Sequence, residues 1–297
     1  MIVILGATGN TGGEAARQLL AQRHAIRVVG RSLAKLRPLL DKGAEALEAD
    51  LQNAGDVKRA FEGADIAYLL IPPNFVTPDF RKYQQAITAN LGAAVEASRC
   101  RKVVMLSSMG AEHPTGTGPI VGLYELEQRL KQISNLDVLA IRAGYFMENF
   151  LGNVGMVQAM GILGAPAPAQ APMTLIAAAD IGRYAAPRLA AGDFHGFEVV
   201  NLMGPASVTF DEVTKTIGAA IGKPQLPFVQ FSYEDAKKGM LSAGVPEQMA
   251  SLYVEMYQGA AQGLLHTEAG TPLIHTTTSF ADFANVFAQA YRAATAA

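Results

Sequence analysis

The sequence predicts an α/β fold in which a doubly wound parallel sheet is followed by a second, smaller α/β lobe. Three observations support this. A short β-branched run, Ile2 to Leu5, ends in glycines at positions 6, 9 and 12. Strand-like apolar runs then alternate with helical patterns through the first half of the chain, which implies right-handed crossovers between parallel strands. The alternation stops near residue 150, where we expect the second lobe to begin.

The first half divides into six strands and five helices. Near-continuous apolar strands such as Ile66 to Ile71 indicate burial on both faces of the sheet. Strands are predicted at 2–5, 25–29, 44–49, 65–71, 101–106 and 136–141. Helices are predicted at 11–22, 33–41, 54–62, 79–99 and 120–134. We therefore assign residues 1–150 to the sheet domain.

Residues 151–297 are predicted to form mostly the second lobe, with segments that return to the sheet. The stretch Gly161 to Pro172 is rich in Pro, Ala and Gly and predicts a loop. Strands are predicted near 197–201 and 227–231, and helices near 207–222, 233–242, 246–263 and 279–293. The last helix has an apolar stripe at helical spacing, which we interpret as packing: Phe280, Phe283, Val286, Phe287 and Tyr291.

Bulk composition excludes several classes of function. The chain has 297 residues, is 50% hydrophobic and carries a net charge of −2, so no basic face for nucleic acid is expected. Its one cysteine, Cys100, excludes a disulfide, and its five histidines lack metal-ligand spacing, so no metal is expected. No apolar run reaches the roughly 18 residues of a membrane span, and the N-terminus lacks the basic leader of a signal peptide. We therefore expect a cytoplasmic protein without a membrane or nucleic-acid partner.

The glycines after the first strand mark a candidate site for a dinucleotide pyrophosphate. Gly6 allows a tight turn, Gly9 lets the backbone approach phosphate, and Gly12 lets the helix lie close on the strand. The helix N-terminus offers free N–H groups and a partial positive charge to the anion. The spacing Gly-x-x-Gly-x-x-Gly is a weak signal alone. Here strand, turn and helix follow one another as the mechanism requires.

The end of the second strand favours NADP over NAD. A NAD site usually has an acid there, which binds the ribose 2′-hydroxyl, whereas this chain has Arg31, with Lys35 one helical turn later. A guanidinium suits a 2′-phosphate in charge and in its forked donors. The alternative is a solvated basic helix start. Asp50, after the third strand, either accepts a hydrogen bond from the adenine amino group or caps the helix that begins near Asn53.

Ligands of such sheets bind beyond the carboxyl ends of the strands. Ser107 and Ser108 end the fifth strand and are predicted either to bind the nicotinamide or substrate or to satisfy loop backbone. The remaining cofactor-binding candidates lie in the glycine turn and after the third and fourth strands: Thr8, Asn10, Thr11, Leu51, Ile71 and Pro72.

Several segments together resemble the NmrA-like branch of the atypical short-chain dehydrogenases, and within it the NAD(P)H quinone reductase and triphenylmethane reductase group. They are the glycine turn (6–12), Arg31, 49–51, 106–108, 142–149, 208–212 and 243–247. The resemblance implies a Rossmann domain over 1–150, a small α/β lobe and NADP bound between them. It also implies that Gly144, Tyr145, Phe146, Met147 and Asn149 line the nicotinamide and substrate pocket, although core packing explains much of that apolar run.

The chain departs from the wider family at the catalytic dyad. Extended short-chain dehydrogenases carry Tyr-x-x-x-Lys-x-x-x-Glu on the helix after the fifth strand, where Tyr donates a proton and Lys lowers its pKa. Aligned on Glu127, this chain has Pro119 for the Tyr and Leu123 for the Lys. Tyr124 is adjacent, but one residue along a helix turns it by about 100°. The catalytic candidates are therefore weak: Ser107, Tyr124 and Tyr145.

Two functions follow. The first is an NADPH-dependent oxidoreductase that transfers hydride to a quinone-like or other conjugated small molecule, a reaction that needs orientation more than a side-chain acid. The second is a non-catalytic, NADP-sensing regulator, without direct nucleic-acid contact. The missing dyad favours the second and the aromatic pocket favours the first. A homodimer is left open.

Overall fold

The structure is a computed structural model that describes residues 1–295. An eight-stranded sheet lies at its centre, in the order β3-β2-β1-β4-β5-β6-β11-β14, with every neighbouring pair parallel. The predicted fold class is thereby confirmed. In chain order the strands are β1 (Ile2–Leu5), β2 (Ile26–Gly30), β3 (Glu45–Glu48), β4 (Ile66–Leu69), β5 (Lys102–Ser108), β6 (Asp137–Ala143), β7 (Tyr145–Phe146), β8 (Leu163–Ala165), β9 (Pro172–Met173), β10 (Leu175–Ile176), β11 (Phe197–Met203), β12 (Val208–Thr209), β13 (Phe228–Gln230) and β14 (Leu273–His275).

Helices cover both faces of this sheet. In chain order they are α1 (Asn10–Ala21), α2 (Leu33–Leu40), α3 (Ala54–Ala60), α4 (Phe80–Ala97), α5 (Val121–Lys131), α6 (Val154–Met160), α7 (Ala178–Ala191), α8 (Phe210–Ala220), α9 (Tyr233–Ser242), α10 (Glu247–Ala261) and α11 (Phe280–Thr295). Two 3-10 segments, Gly118–Ile120 and Met147–Asn153, precede α5 and α6. One apolar core joins the sheet to α3, α4 and α5, and another joins it to α1, α2 and α7. Burial on both faces is confirmed for β4 and, at most positions, for β5, whereas the edge strands β3 and β14 are exposed or half-buried.

Helix α7 is not among the helix ranges that the sequence predicts, and it ties the second half of the chain to the first. A Cβ on Gly182 would lie 2.5 Å from the carbonyl oxygen of Thr11, so only glycine lets α7 approach α1 this closely. Strands β11 and β14 then extend the sheet beyond β6. The division of the chain at residue 150 stays a prediction, and these returning segments are part of the sheet domain.

A third apolar core forms the second lobe from α6, α8, α11 and short strand pairs. The stretch predicted as a loop between Gly161 and Pro172 contains β8, which pairs in parallel with β13, and it ends where β9 begins. In α11, Phe280, Phe283 and Phe287 are buried as predicted, whereas Val286 is 46% exposed. The packing stripe is therefore narrower than expected, because Val286 lies on the solvent side of the helix.

Cys100 lies in the core between α4 and β5. It is fully buried, and its thiol donates to the carbonyl oxygen of Lys102 at 3.3 Å. Burial raises the pKa of this thiol to about 11. Among residues 1–295, no helix is long and apolar enough to cross a membrane.

Candidate functional site

The glycine turn has the geometry that a pyrophosphate site requires. Gly6 has a φ of +62°, and its carbonyl oxygen accepts a hydrogen bond from the Gly9 N–H at 2.9 Å. A Cβ on Gly12 would lie 2.8 Å from the carbonyl oxygens of both Leu5 and Gly6, so the start of α1 rests directly on the end of β1. Gly9 is the N-cap of α1 and brings no side chain that could cap the helix. The first N–H groups of α1 are thus available to an anion.

The other turn residues divide between surface and core. Thr8 and Asn10 are exposed beside Gly9. The side chain of Thr11 is only 5% exposed and belongs to the core, so Thr11 can offer a ligand its backbone N–H but little of its side chain. A contact between Thr11 and the cofactor is therefore expected through the backbone N–H.

Arg31 and Lys35 are both exposed at the carboxyl end of β2. Ser32 caps α2 by accepting a hydrogen bond from the Lys35 N–H, which keeps the helix start fixed beside Arg31. Burial raises the pKa of the nearby Tyr83 phenol, the charge of Arg31 lowers it and that of Asp50 raises it. The charges of Arg31 and Asp50 thus act on the same phenol, in opposite directions.

Asp50 does not cap α3. Asn53 caps that helix, because its side-chain oxygen accepts from the N–H groups of Gly55 at 2.9 Å and Asp56 at 3.1 Å. Among residues 1–295, the exposed Asp50 carboxylate accepts only from the Gln52 N–H, at 3.0 Å. The capping alternative is thereby ruled out, and the adenine contact stays a prediction. Leu51 is 7% exposed, so its side chain packs in the core.

The chain leaves β4 through Ile71 and Pro72, which are half-buried. The carbonyl oxygen of Pro72 accepts from the Tyr83 hydroxyl at 3.0 Å. Beyond it, Phe75 and Val76 are 49% and 83% exposed. The start of this loop is therefore held by the hydrogen bond between Pro72 and Tyr83, and the loop continues with exposed apolar side chains.

The Ser107 hydroxyl does not bond to loop backbone, and its contact with a nicotinamide or substrate stays a prediction. Its side chain is buried, and its hydroxyl donates to Oε1 of Glu127 at 2.6 Å. Ser108 instead satisfies loop backbone, because its hydroxyl donates to the Met109 carbonyl oxygen at 2.9 Å. With its proton held by Glu127, Ser107 is a poor catalytic donor.

Glu127 belongs to a buried ion cluster that sequence reasoning did not find. The fully buried Glu127 carboxylate receives two hydrogen bonds from Arg142, at 2.9 and 3.1 Å. The other terminal nitrogen of Arg142 lies 3.0 Å from Glu112 and 3.1 Å from Glu268. Burial lowers the pKa of Arg142, but its hydrogen bonds and the surrounding carboxylates raise it on balance. Glu127, which matches the glutamate of the Tyr-x-x-x-Lys-x-x-x-Glu motif, therefore holds Ser107 and the end of β6 in place. The Tyr and Lys of that motif are absent at their expected positions.

The segment after β6 forms the next wall of the site. A Cβ on Gly144 would lie 2.3 Å from the Thr174 carbonyl oxygen, which is why glycine is required there. The same oxygen accepts from the Tyr145 N–H at 2.8 Å, and β7 pairs in parallel with β10. The Tyr145 ring meets Phe150 edge to face at 5.8 Å. Tyr145 and Phe146 are half-buried and Met147 is buried.

Three tyrosines meet here, and we call Tyr145, Tyr253 and Tyr257 the tyrosine cluster. All three are half-buried and pack on Ala111, Ile120 and Met256. Burial raises the pKa of Tyr145 well above its usual value, and the phenols of Tyr257 and Tyr253 raise it further. Burial likewise raises the pKa of Tyr253 to about 12. Sequence reasoning missed Tyr253 and Tyr257, although their spacing of four residues places them on one face of a helix.

Tyr124 is not part of this cluster. It lies half-buried on α5, three residues before Glu127.

Two cavities of about 370 and 360 Å³ border the second lobe. The first lies between β12, α8 and α11, and the second is lined by Asn10 of the glycine turn together with residues of α7 and α11. Within the described residues there is no group of three or more His, Cys, Asp or Glu side chains arranged to hold a metal.

Comparisons with known proteins agree with this geometry. The NAD(P)H azoreductase of Xenophilus azovorans is 28% identical over 99% of this chain and 100% of its own length. Quinone oxidoreductase 2 of Escherichia coli is 26% identical over 95% of this chain and 96% of its own. Among solved structures, the Citrobacter sp. triphenylmethane reductase complexed with NADP(H) superposes with a TM-score of 0.80 at 21% identity, over 97% of this chain and 100% of that one.

The resemblance predicted from the sequence is confirmed by these relatives. Residues 6–186, which run from the first glycine of the turn into α7, match the model of a family described as NAD(P)H-binding. The match spans more than half of the chain, and the protein therefore belongs to the NAD(P)H-binding family.

Proposed function

We propose that the protein is an NADPH-dependent reductase that transfers hydride to a quinone-like or other conjugated small molecule. The observation that carries the proposal is a juxtaposition at one edge of the sheet. The uncapped glycine turn after β1 and the aromatic wall after β6 both lie beyond the carboxyl ends of the strands. The names of the relatives, an azoreductase and a quinone oxidoreductase, support the same class of acceptor.

The residues present fit a dinucleotide. The space above Gly9 and the free N–H groups at the start of α1 would hold the pyrophosphate. Asp50, Ile71 and Pro72 would border the adenosine half, and Gly144, Tyr145 and Phe146 the nicotinamide half. When bound, NADPH supplies a hydride.

Arg31 and Lys35 support a preference for NADP over NAD. Both cations are exposed, and no carboxylate of an ion pair holds Arg31 among the described residues. A 2′-phosphate would therefore gain the guanidinium without displacing an existing partner, which favours binding. NAD lacks that phosphate and would gain nothing there.

The absence of a proton-donating Tyr-Lys dyad supports a conjugated acceptor. Pro119 and Leu123 stand where a Tyr-Lys dyad would supply a proton to an ordinary ketone. A quinone or azo compound delocalises the negative charge that hydride brings, and a cationic dye is neutralised by the hydride, so placement of the acceptor matters most. Flat aromatic walls suit such acceptors. A purely NADP-sensing role is not favoured, since the relatives are reductases by name.

Steady-state oxidation of NADPH with a panel of quinones, azo compounds and cationic dyes tests the activity. We expect turnover with at least one acceptor and weaker turnover with NADH. Nucleotide binding without turnover for any acceptor would refute the proposal and favour the sensor.

Calorimetry tests the nucleotide preference. Arg31→Ala should weaken NADPH binding by roughly 10- to 100-fold, equivalent to about 1.5–3 kcal/mol for a charge-assisted contact, and leave NADH binding unchanged. The matched control is Arg37→Ala, since Arg37 is also exposed on α2 but pairs with Asp41 at 2.8 Å. Equal affinity of the wild type for the two nucleotides would contradict the assignment. The cytoplasmic location and a homodimer stay predictions.

A further inference from the structure

Glu48, the last residue of β3, has its carboxylate at the start of α2. Strands β2 and β3 pair in a register that sets Gly30 opposite Glu48, and the Ala49 N–H donates to the Gly30 carbonyl oxygen at 3.0 Å. Oε2 of Glu48 accepts a hydrogen bond from the Leu33 N–H at 2.9 Å. The Glu48 side chain is exposed. The contact forms only because β3 lies beside β2, so the sequence alone does not indicate it.

This carboxylate is close to Arg31, the predicted ligand of the 2′-phosphate. Leu33 follows Arg31 by two residues, so the dimensions of the backbone limit the distance from Oε2 of Glu48 to the Arg31 Cα to about 10 Å. A Cβ on Gly30 would lie 3.1 Å from Cγ2 of Thr8, so the glycine turn packs against the same strand end. Exposed charges interact over about this distance at ordinary ionic strength. The Glu48 carboxylate therefore acts on an anion that Arg31 binds.

The negative charge of Glu48 has no cation to neutralise it. The other acid of β3, Glu45, pairs with Arg27 at 2.7 Å. Within the part of the chain that the structure describes, neither Glu48 nor Arg31 belongs to an ion pair. The ends of two neighbouring strands thus carry a guanidinium that attracts a phosphate and a carboxylate that repels it.

We propose that Glu48 is a specificity-determining residue that limits the preference for NADPH over NADH. The inference rests on the proposed function, in which Arg31 binds the 2′-phosphate. A phosphate monoester carries a charge of about −1.5 to −2 at pH 7, so the carboxylate of Glu48 opposes its binding. The ribose 2′-hydroxyl of NADH is neutral and is not repelled. Arg31 thus determines which nucleotide binds more tightly, and Glu48 reduces the difference between the two.

The charge of Glu48 can be separated from its structural role. A carboxylate at the start of a helix satisfies a free N–H and interacts favourably with the helix dipole. The side-chain oxygen of glutamine also accepts hydrogen bonds, so Glu48→Gln can keep the contact with the Leu33 N–H while it removes the charge. Any change in nucleotide preference then comes from electrostatics rather than from a disordered helix start.

Calorimetric titration with NADPH and NADH tests the proposal. We expect Glu48→Gln to lower the Kd for NADPH by about fivefold at low ionic strength and to change the Kd for NADH by less than about twofold. In about 0.5 M NaCl the gain should fall below about twofold, because salt screens exposed charges. The matched control is Glu45→Gln, which removes a charge from the same strand but one that is already paired with Arg27. It should change neither Kd by more than about twofold.

Two fragments give a readout that does not depend on the nicotinamide. Adenosine 2′,5′-bisphosphate and AMP differ only in the 2′-phosphate, and Glu48→Gln should strengthen the binding of the bisphosphate alone. An unchanged Kd for NADPH, equal gains for NADPH and NADH, or a gain that persists in high salt would overturn the inference and leave the proposed reductase intact. A wild type that binds neither nucleotide would overturn both.

Discussion

Replacing Arg142 by Met should leave the buried Glu127 carboxylate without its cationic partner and destabilise the protein severely. Arg142 is 4% exposed and gives two hydrogen bonds to Glu127, whose side chain is fully buried. Met fills much of the arginine volume, so the loss is electrostatic rather than a cavity. The substitution therefore measures the effect of losing the positive charge that neutralises Glu127.

The magnitude follows from the burial of each partner. Removing one member of a buried ion pair typically costs about 3–5 kcal/mol. The pair with Glu268, which is 53% exposed, adds at most about 1 kcal/mol, and the less exposed pair with Glu112 adds to the loss in the same direction. We expect a loss of about 4 kcal/mol, a large share of the roughly 5–15 kcal/mol that folds a typical domain.

Urea unfolding of the wild type and Arg142→Met measures this loss. Arg37→Met is the matched control, because it breaks an exposed pair and should cost about 0.5 kcal/mol or less. Adding Glu127→Gln to Arg142→Met should recover part of the stability, since the amide is uncharged and still accepts from Ser107. A single variant within about 1 kcal/mol of wild type, or a double variant no more stable than the single, would refute the reasoning.

Three further outcomes are expected. Gly9→Val should fold but lose the thermal stabilisation that NADPH gives, because the valine side chain would fill the phosphate space. The backbone at Gly9 is extended (φ −91°), and a Cβ there would approach the Gly6 carbonyl oxygen to 3.3 Å, which a small shift of the turn relieves. Retained stabilisation would place the phosphate elsewhere. Tyr124→Phe should leave reductase activity within a few-fold of wild type, whereas loss of a true general acid costs roughly 10²–10⁴-fold and would identify Tyr124 as the proton donor. Burial raises the pKa of Glu148, whose carboxylate accepts from the Ala178 N–H at 3.0 Å. The folded state thus holds a proton that the unfolded chain releases near pH 4.5, so wild-type stability should fall as the pH rises above that value, and Glu148→Gln should remove the trend.

The inner strands β1 and β4 could be predicted from the sequence because they are buried on both faces. Ile66 to Leu69 is buried throughout, so almost every position is apolar and the pattern needs no partner to be recognised. The glycine turn is equally local: the positive φ of Gly6 and the close approach at Gly12 are set by residues a few positions away. Local patterns of this kind can be recognised in a single sequence.

The missed features depend on distant contacts. Helix α7 contains Pro187 and Gly182, which weaken its helical signal, and it is stabilised by packing on α1. Glu127 lies 20 residues after Ser107 and 15 residues before Arg142, and the three meet only because β5, α5 and β6 are neighbours. Tyr253 and Tyr257 look like packing residues until α10 is placed over the end of β5. No periodicity in the chain encodes that placement.

The buried thiol of Cys100 has a consequence for an enzyme that handles quinones. Quinones are electrophiles, and they arylate cysteine thiolates by conjugate addition. The chain has one cysteine, it is fully buried, and burial raises the pKa of its thiol to about 11. The thiolate is the reactive form, so at neutral pH the folded protein offers such a compound almost no nucleophilic sulfur. For the proposed reduction of quinones, this burial would protect the protein from its substrate, and alkylation of Cys100 would report unfolding rather than catalysis.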